Sequence, residues 1–402
     1  MSCELRVLLA ACSSRLEACS FWRYYKKYEK TNNMTARTLH ISQPFPTEGG
    51  AVLPELHIAY HTWGKPNAEQ DNIVWIAHAL TGNSDAASWW PGLVGEGRLL
   101  DPDKYFIVCA NVIGSCYGST GPTSIDPRTG QAYGLDFPLI TIRDMVWAHR
   151  LLQRHLGIRR IRLGIGGSMG GQQIIEWAAA EPELFDRIAL LATNARHSPW
   201  GIAFNESQRM AIMADHSVQE KHPEAGAKGL EAARAVAILS YRHYHAYHRT
   251  QLDPTHDKIE DFLAGSYQRY QGEKLRNRFH AHSYLTLSRA MDSHNVGRGR
   301  ETVENALAQI RKPALVVAIQ SDVLFPPEEQ YFIGRNLPEA QVETIESLYG
   351  HDGFLIEYDK ITPLLQDLLE RNWTTPAAKK ASDHKQETRP SAGSALPGSE
   401  RI

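Results

Sequence analysis

Five short runs dense in Val, Ile and Leu recur along the chain, and helix-like segments separate several of them. The runs are "NIVWIAHAL" (72–80), "YFIVCANVI" (105–113), "IRRIRLGIGG" (158–167), "RIALLATNA" (187–195) and "PALVVAIQS" (313–321). Runs that are apolar on both faces suit strands covered on both sides, as in a parallel sheet. "TIRDMVWAHRLLQRHLG" and "GGQQIIEWAAAEPELF" read as helices crossing between them. The alternation predicts a doubly wound α/β core over residues 36–196 and 301–373. Strand-like runs stop between them, so 197–300 is expected to be an inserted helical cap.

A chain of 402 residues, 42% hydrophobic and 22% charged, can bury a core of that kind. Its formal net charge of -2 leaves no basic footprint for nucleic acid or an anionic membrane. No run approaches the roughly 18 apolar residues of a membrane span. The 5 cysteines form no CxxC pair and no metal-like spacing with histidine, which argues against a disulfide framework and against a metal site. Residues 1–35 show no clear period and are expected to be a poorly ordered extension, with Met34 as an alternative start. "LLAAC", ending at Cys12, has the look of a lipoprotein cleavage box, but Glu4 and the short apolar run from Val7 argue against a secretory leader. The polar stretch 374–402 is expected to be a disordered tail. A cytoplasmic location follows as the default.

One stretch carries chemistry. In "LGIGGSMGGQQIIEW" (163–177) a single serine, Ser168, sits among five glycines, after a strand-like run and before a helix-like one. Gly166-Gly167-Ser168-Met169-Gly170 fits G-x-S-x-G, the turn that lifts a nucleophilic hydroxyl above a sheet. A serine that merely caps a helix would need fewer glycines around it. Its hydroxyl needs a base, and the base needs an orienting acid. Asp322 follows the last strand-like run, and His351 stands 29 residues later in "SLYGHDGFLIEY". A charged intermediate further needs two N–H donors. Met169, directly after the serine, supplies one, and Leu80 in "HALTG" is the candidate for the other. The Gly-rich run "NVIGSCYGSTGPTS" (111–124) lacks the GK[ST] ending of a phosphate loop. "YRHYHAYHRT" tempts a metal reading, but His243, His245 and His248 look more like a polar cap surface.

Taken in order, the run from His78 to Val146 beginning "HALTGNSDAASWW", then "GGSMGGQQIIEWA", "WGIAFNESQRMAI", "SDVLFPPEEQ" and "YGHDGFLIEYD" resemble the homoserine O-acetyltransferase family of methionine biosynthesis, within the α/β-hydrolase superfamily. The likeness runs from about Arg37 to Arg371. It implies an α/β-hydrolase fold and acetyl transfer from acetyl-CoA, as co-substrate, to the hydroxyl of L-homoserine through an acetyl-serine intermediate. It implies no other cofactor, and a homodimer. By it Ser168 is the nucleophile, Asp322 the orienting acid and His351 the base, while Arg234 meets the acceptor carboxylate, Tyr241 lines the acceptor site and Asp352 meets the amine. Arg234 and Tyr241 stand two helical turns apart, on one face. "GGQQ" departs from the commoner family pattern at this point, and Gln172 is expected near the acyl pocket. Succinyl transfer would need an added cation, and none stands out near the motifs. Succinyl as donor, serine as acceptor, and a simple esterase or thioesterase remain alternatives.

Overall fold

The computed structural model describes residues 36–371, so the expectations for 1–35 and for the stretch after Arg371 lie outside the described residues. Eight strands form the central sheet: β1 (Arg37–Ile41), β2 (Leu56–Trp63), β3 (Ile73–Ala77), β4 (Phe106–Ala110), β5 (Leu163–Gly167), β6 (Ile188–Leu191), β7 (Ala314–Ile319) and β8 (Ala340–Ile345). Their spatial order is β1-β2-β4-β3-β5-β6-β7-β8. From β4 through β8 every neighbouring pair is parallel, and β1 and β2 are joined to that block by antiparallel pairings. All five Val/Ile/Leu-rich runs became strands, β3 to β7, each buried along its whole length.

Helix α1 (Ile142–His155) begins on a capping box, in which the Thr141 hydroxyl accepts from the Asp144 N–H and Asp144 accepts from the Thr141 N–H. Helix α2 (Met169–Ala180) follows β5 and is buried on nearly every side, which its Gly, Ile, Trp and Ala content permits. Trp177 of α2 meets Trp75 of β3 edge to face, with centroids 5.0 Å apart.

Between β6 and β7 the described elements are helical: α3 (Pro199–Met213), α4 (Ala227–Tyr241), α5 (Tyr244–Gln251), α6 (Leu263–Arg276), α7 (Ala281–Asp292) and α8 (Val303–Ala308). Helix α9 (Pro327–Asn336) then links β7 to β8, and α10 (Tyr358–Glu370) closes the described chain. The return from these helices is tied to the core by charge. Buried Glu176 of α2 takes Arg143 at 2.8 Å and Arg300 at 2.7 Å, and Glu48 takes Arg143 and Arg298, each at 2.7 Å. Five charges linked in four pairs this way stabilise more than isolated surface pairs, and they hold the helix behind the serine.

Candidate active site

Ser168, Asp322 and His351 each follow the carboxyl end of a parallel strand, β5, β7 and β8 respectively, where open α/β sheets gather their chemistry. The turn at Ser168 is strained. Its φ of 55° and ψ of -126° cost a residue with a Cβ about 1–3 kcal/mol. Backbone contacts hold it there: the Ser168 N–H donates to Leu191 O at 3.0 Å, and the Ser168 carbonyl accepts from the Thr193 hydroxyl at 2.7 Å. Two of the glycines explain why no larger residue would do. A Cβ on Gly166 would lie 2.3 Å from the Gly170 carbonyl carbon, and one on Gly170 would lie 2.1 Å from Ala77 O. Strand, helix and the end of β3 therefore meet backbone to backbone.

The Asp322 and His351 side chains are brought together. Asp322 Oδ2 accepts from His351 Nδ1 at 2.7 Å, while Oδ1 accepts from the N–H groups of Leu324 and Phe325 at 2.8 and 2.9 Å. Ser321 Oγ donates to Ser347 O at 2.6 Å, tying the acid's loop to the histidine's. The imidazole stacks on Phe325 at 5.0 Å and meets Phe354 edge-on at 5.4 Å. Phe354 also packs under the serine turn, since a Cβ on Gly167 would fall 2.3 Å from its ring. One aromatic side chain thus touches both the histidine and the elbow. Burial opposes the imidazolium, but the Asp322 charge and hydrogen bond outweigh it, with help from Asp352 and Glu329, so His351 titrates above its usual range.

That direction fixes a pH prediction. A base with a raised pKa stays protonated, and idle, to higher pH. The acid limb of kcat/KM is expected to have its midpoint above pH ~6.5, the ordinary value for histidine. A pH–rate profile with its midpoint at or below that value would contradict the geometry.

Leu80 and Met169 are both buried, early in the loop after β3 and at the first turn of α2. A residue the sequence did not single out shapes the loop. His78 is fully buried, donating from Nδ1 to Ala79 O at 2.8 Å and accepting at Nε2 from the Val112 N–H at 3.1 Å. Burial pushes its pKa down to about 4, so the ring stays neutral and keeps both bonds. Gln173 Nε2 donates to the carbonyls of His78 and Met169, each at 3.1 Å, which joins the two N–H-bearing turns. Gln172 is also fully buried. Its Nε2 donates to Asn194 Oδ1 at 2.9 Å, and Oε1 has no partner. Asn194 in turn donates to Glu329 at 2.7 Å, and burial raises that carboxyl's pKa to about 7. A cavity of about 720 Å3 opens beside Asn194 and Glu329, but neither Ser168 nor His351 lines it.

Arg234 and Tyr241, both on α4, come together as their spacing predicts, with the guanidinium 5.1 Å from the ring centroid. Tyr241 is 5.8 Å from the His351 ring. Burial raises the Tyr241 pKa, with Arg234 lowering it and Asp352 raising it. Asp352 is not free for a ligand alone: Arg242 Nε lies 3.0 Å from its carboxylate. Sequence gave no sign of this pairing, which depends on the end of α4 abutting the turn at Gly350. Nor did it reveal Arg278, which donates to Thr81 O at 2.6 Å and to the Tyr117 hydroxyl at 3.0 Å. This exposed side chain reaches the "HALTG" loop from the connection between α6 and α7. His243, His245 and His248 form no three-ligand metal group among the described residues. Cys109 and Cys116 are free thiols.

Comparisons with known proteins give the family and the fold. The family model of the alpha/beta hydrolase fold matches residues 72–358. Homoserine O-acetyltransferase of Cyclobacterium marinum is 46% identical over 343 residues, covering 85% of this chain and 97% of that protein. Among solved structures, homoserine O-acetyltransferase from Staphylococcus aureus is 30% identical with a TM-score of 0.71, covering 84% of this chain and 96% of that one. An acetylester hydrolase from Corynebacterium glutamicum is 25% identical with a TM-score of 0.74, covering 84% and 96%.

Proposed function

The chain belongs to the homoserine O-acetyltransferase family, and on that premise we propose that Ser168, His351 and Asp322 carry the acetyl group from acetyl-CoA to the L-homoserine hydroxyl. His351 Nε2 takes the Ser168 proton as Oγ attacks the thioester carbonyl. The resulting oxyanion is received by the N–H groups of Leu80 and Met169, which act where charge develops. Collapse of the intermediate returns the proton to the departing CoA thiolate and leaves acetyl-Ser168. Homoserine then repeats the sequence from the other side. Its hydroxyl gives a proton to His351, attacks the acetyl carbonyl, and leaves as the O-acetyl ester while Ser168 recovers its proton. The reaction draws on side chains and backbone N–H groups of the chain, with acetyl-CoA as co-substrate, and it serves methionine biosynthesis.

The observation that carries this reading is the buried Asp322–His351 pair, with the Arg234 guanidinium over the ring of Tyr241, that ring 5.8 Å from His351, and the Asp352 carboxylate on the residue after His351. A zwitterionic acceptor needs both charges, and arginine suits a carboxylate. We assign Arg234 to the carboxylate and Asp352, which Arg242 holds in place, to the amine. Charge-assisted contacts are worth about 1.5–3 kcal/mol, so Arg234→Leu is expected to weaken homoserine use by roughly 10- to 100-fold. Stopped-flow thiol detection should still see a normal burst of CoA followed by slow turnover. A lost burst with unchanged homoserine affinity would place Arg234 with the donor or the fold instead.

A simple esterase is the second reading, favoured by the likeness to the acetylester hydrolase. Mass spectrometry of products from acetyl-CoA and from succinyl-CoA, each offered L-homoserine and L-serine in competition, separates the possibilities. O-acetylhomoserine as the main product is expected. Free acetate at the same rate with and without acceptor would make the protein a hydrolase. Arg278 gives the succinyl arm a physical reason.

Residues 197–300 serve as the cap in this reading. Large apolar side chains on it stand exposed, among them Trp200, Met210, Leu239 and Tyr244, and they suit a second copy of the chain. Light scattering tests the homodimer. No described helix is long and apolar enough to cross a membrane.

A further inference from the structure

At the edge of the sheet, far in strand order from β5, β7 and β8, stands a group of side chains that acyl transfer does not use. The antiparallel register of β1 and β2 sets His40 opposite His57. His57 spends both backbone groups on its other neighbour: its N–H donates to the Thr120 hydroxyl at 2.7 Å, and its carbonyl accepts from the Thr120 N–H at 2.9 Å. A residue so engaged forms the close, non-hydrogen-bonded kind of pair with the strand on its other side, where side chains approach most nearly. The two imidazoles accordingly stack with centroids 4.5 Å apart and planes within 6°. Glu55 stands two residues before His57, and alternate residues of an extended chain share a face. Its Oε2 lies 3.0 Å from His40 Nε2. One ligand atom from each of the three side chains lies within 4.8 Å of the others, and no second group of three does so among the described residues.

We propose that His40, His57 and Glu55 form a binding site for a divalent cation of the Zn2+ class, which clasps edge strand β1 to β2. Two imidazoles and a carboxylate supply three of the four ligands of tetrahedral zinc, and water completes the shell. Imidazole selects Zn2+, Cu2+ or Ni2+ over Mg2+ and Ca2+, which prefer oxygen. The rings stack nearly parallel, so binding turns each ring inward until one nitrogen of each reaches about 2.0–2.1 Å from the ion. Room for that motion exists, since His40 is exposed and the other two side chains are half-buried. Linear spacing could not announce the site, because His40 and His57 become neighbours only through strand register.

Titration calorimetry of the full, chelator-treated chain with Zn2+, beside thermal unfolding, tests the proposal. One equivalent of Zn2+ per chain is expected to bind and raise Tm, while Mg2+ does neither. His57→Ala should abolish both effects, and the exposed variant His40→Gln, which leaves the buried face untouched, should do the same. Glu55→Gln should weaken binding, His243→Ala should not, and acyl transfer should be unchanged in all four. Co2+ in place of zinc should give the visible bands of a tetrahedral site in wild type and not in His40→Gln. Absence of a stoichiometric Zn2+ heat in wild type, or its persistence in His40→Gln, overturns the site.

Discussion

Ser168→Ala is expected to lower turnover by at least ~10³-fold and to erase the burst of CoA release, because removing one member of a catalytic unit loses the unit. The substitution removes only Oγ. The turn that presents it is fixed by contacts the variant keeps, namely the Ser168 N–H to Leu191 O and the Thr193 hydroxyl to the residue 168 carbonyl. Folding should therefore survive, and the residual rate should reflect oxyanion donors and binding alone. Stopped-flow thiol release with acetyl-CoA and no acceptor reads the effect directly. A burst of unchanged amplitude in Ser168→Ala would mean that CoA leaves by direct transfer or from another nucleophile.

Asp322→Asn should be comparably severe, at about 10³–10⁴-fold in kcat, for a reason of tautomer rather than shape. The Leu324 and Phe325 N–H groups claim one oxygen of residue 322, so in the variant they hold the amide oxygen and turn the NH2 toward His351. A donor facing Nδ1 drives the ring proton to Nε2, and Nε2 then has no lone pair for the serine proton. The acid limb of any remaining activity should also move to lower pH, since the main influence holding the imidazolium is gone. Wild-type rates in Asp322→Asn would show that Asp322 only packs the histidine.

What could be read in the sequence followed from what each part needs. Strands β3 to β7 were legible because burial on both faces demands unbroken apolar runs. Strand β2, "LHIAYHTW", was not, because its buried polar residues find partners only after folding, as His61 does with Ser84 at 2.9 Å. Strand β8, "AQVETI", is a half-buried edge with a short, mixed pattern. The same division holds at the site. Ser168, Asp322 and His351 stand in motifs whose residue types and order chemistry dictates. His78, Gln173, Glu329, Arg242 and Arg278 act through partners set beside them by tertiary packing, as when Arg278 reaches Thr81 or Asn194 reaches Glu329. No local pattern records such contacts. Asp352 shows the limit of both: its place beside His351 was visible, and its pairing with Arg242 was not.

In the proposed mechanism the acetyl group rests on Ser168 and moves from there to an amino acid. A pulse of acetyl-CoA without acceptor, a homoserine chase, and peptide mass mapping at each stage test it most directly. One acetyl group is expected on the peptide that contains Ser168 after the pulse, lost on the chase at the rate at which O-acetylhomoserine forms. An unmodified Ser168 peptide after the pulse, or loss of its acetyl group to water at a rate that homoserine does not change, would contradict it.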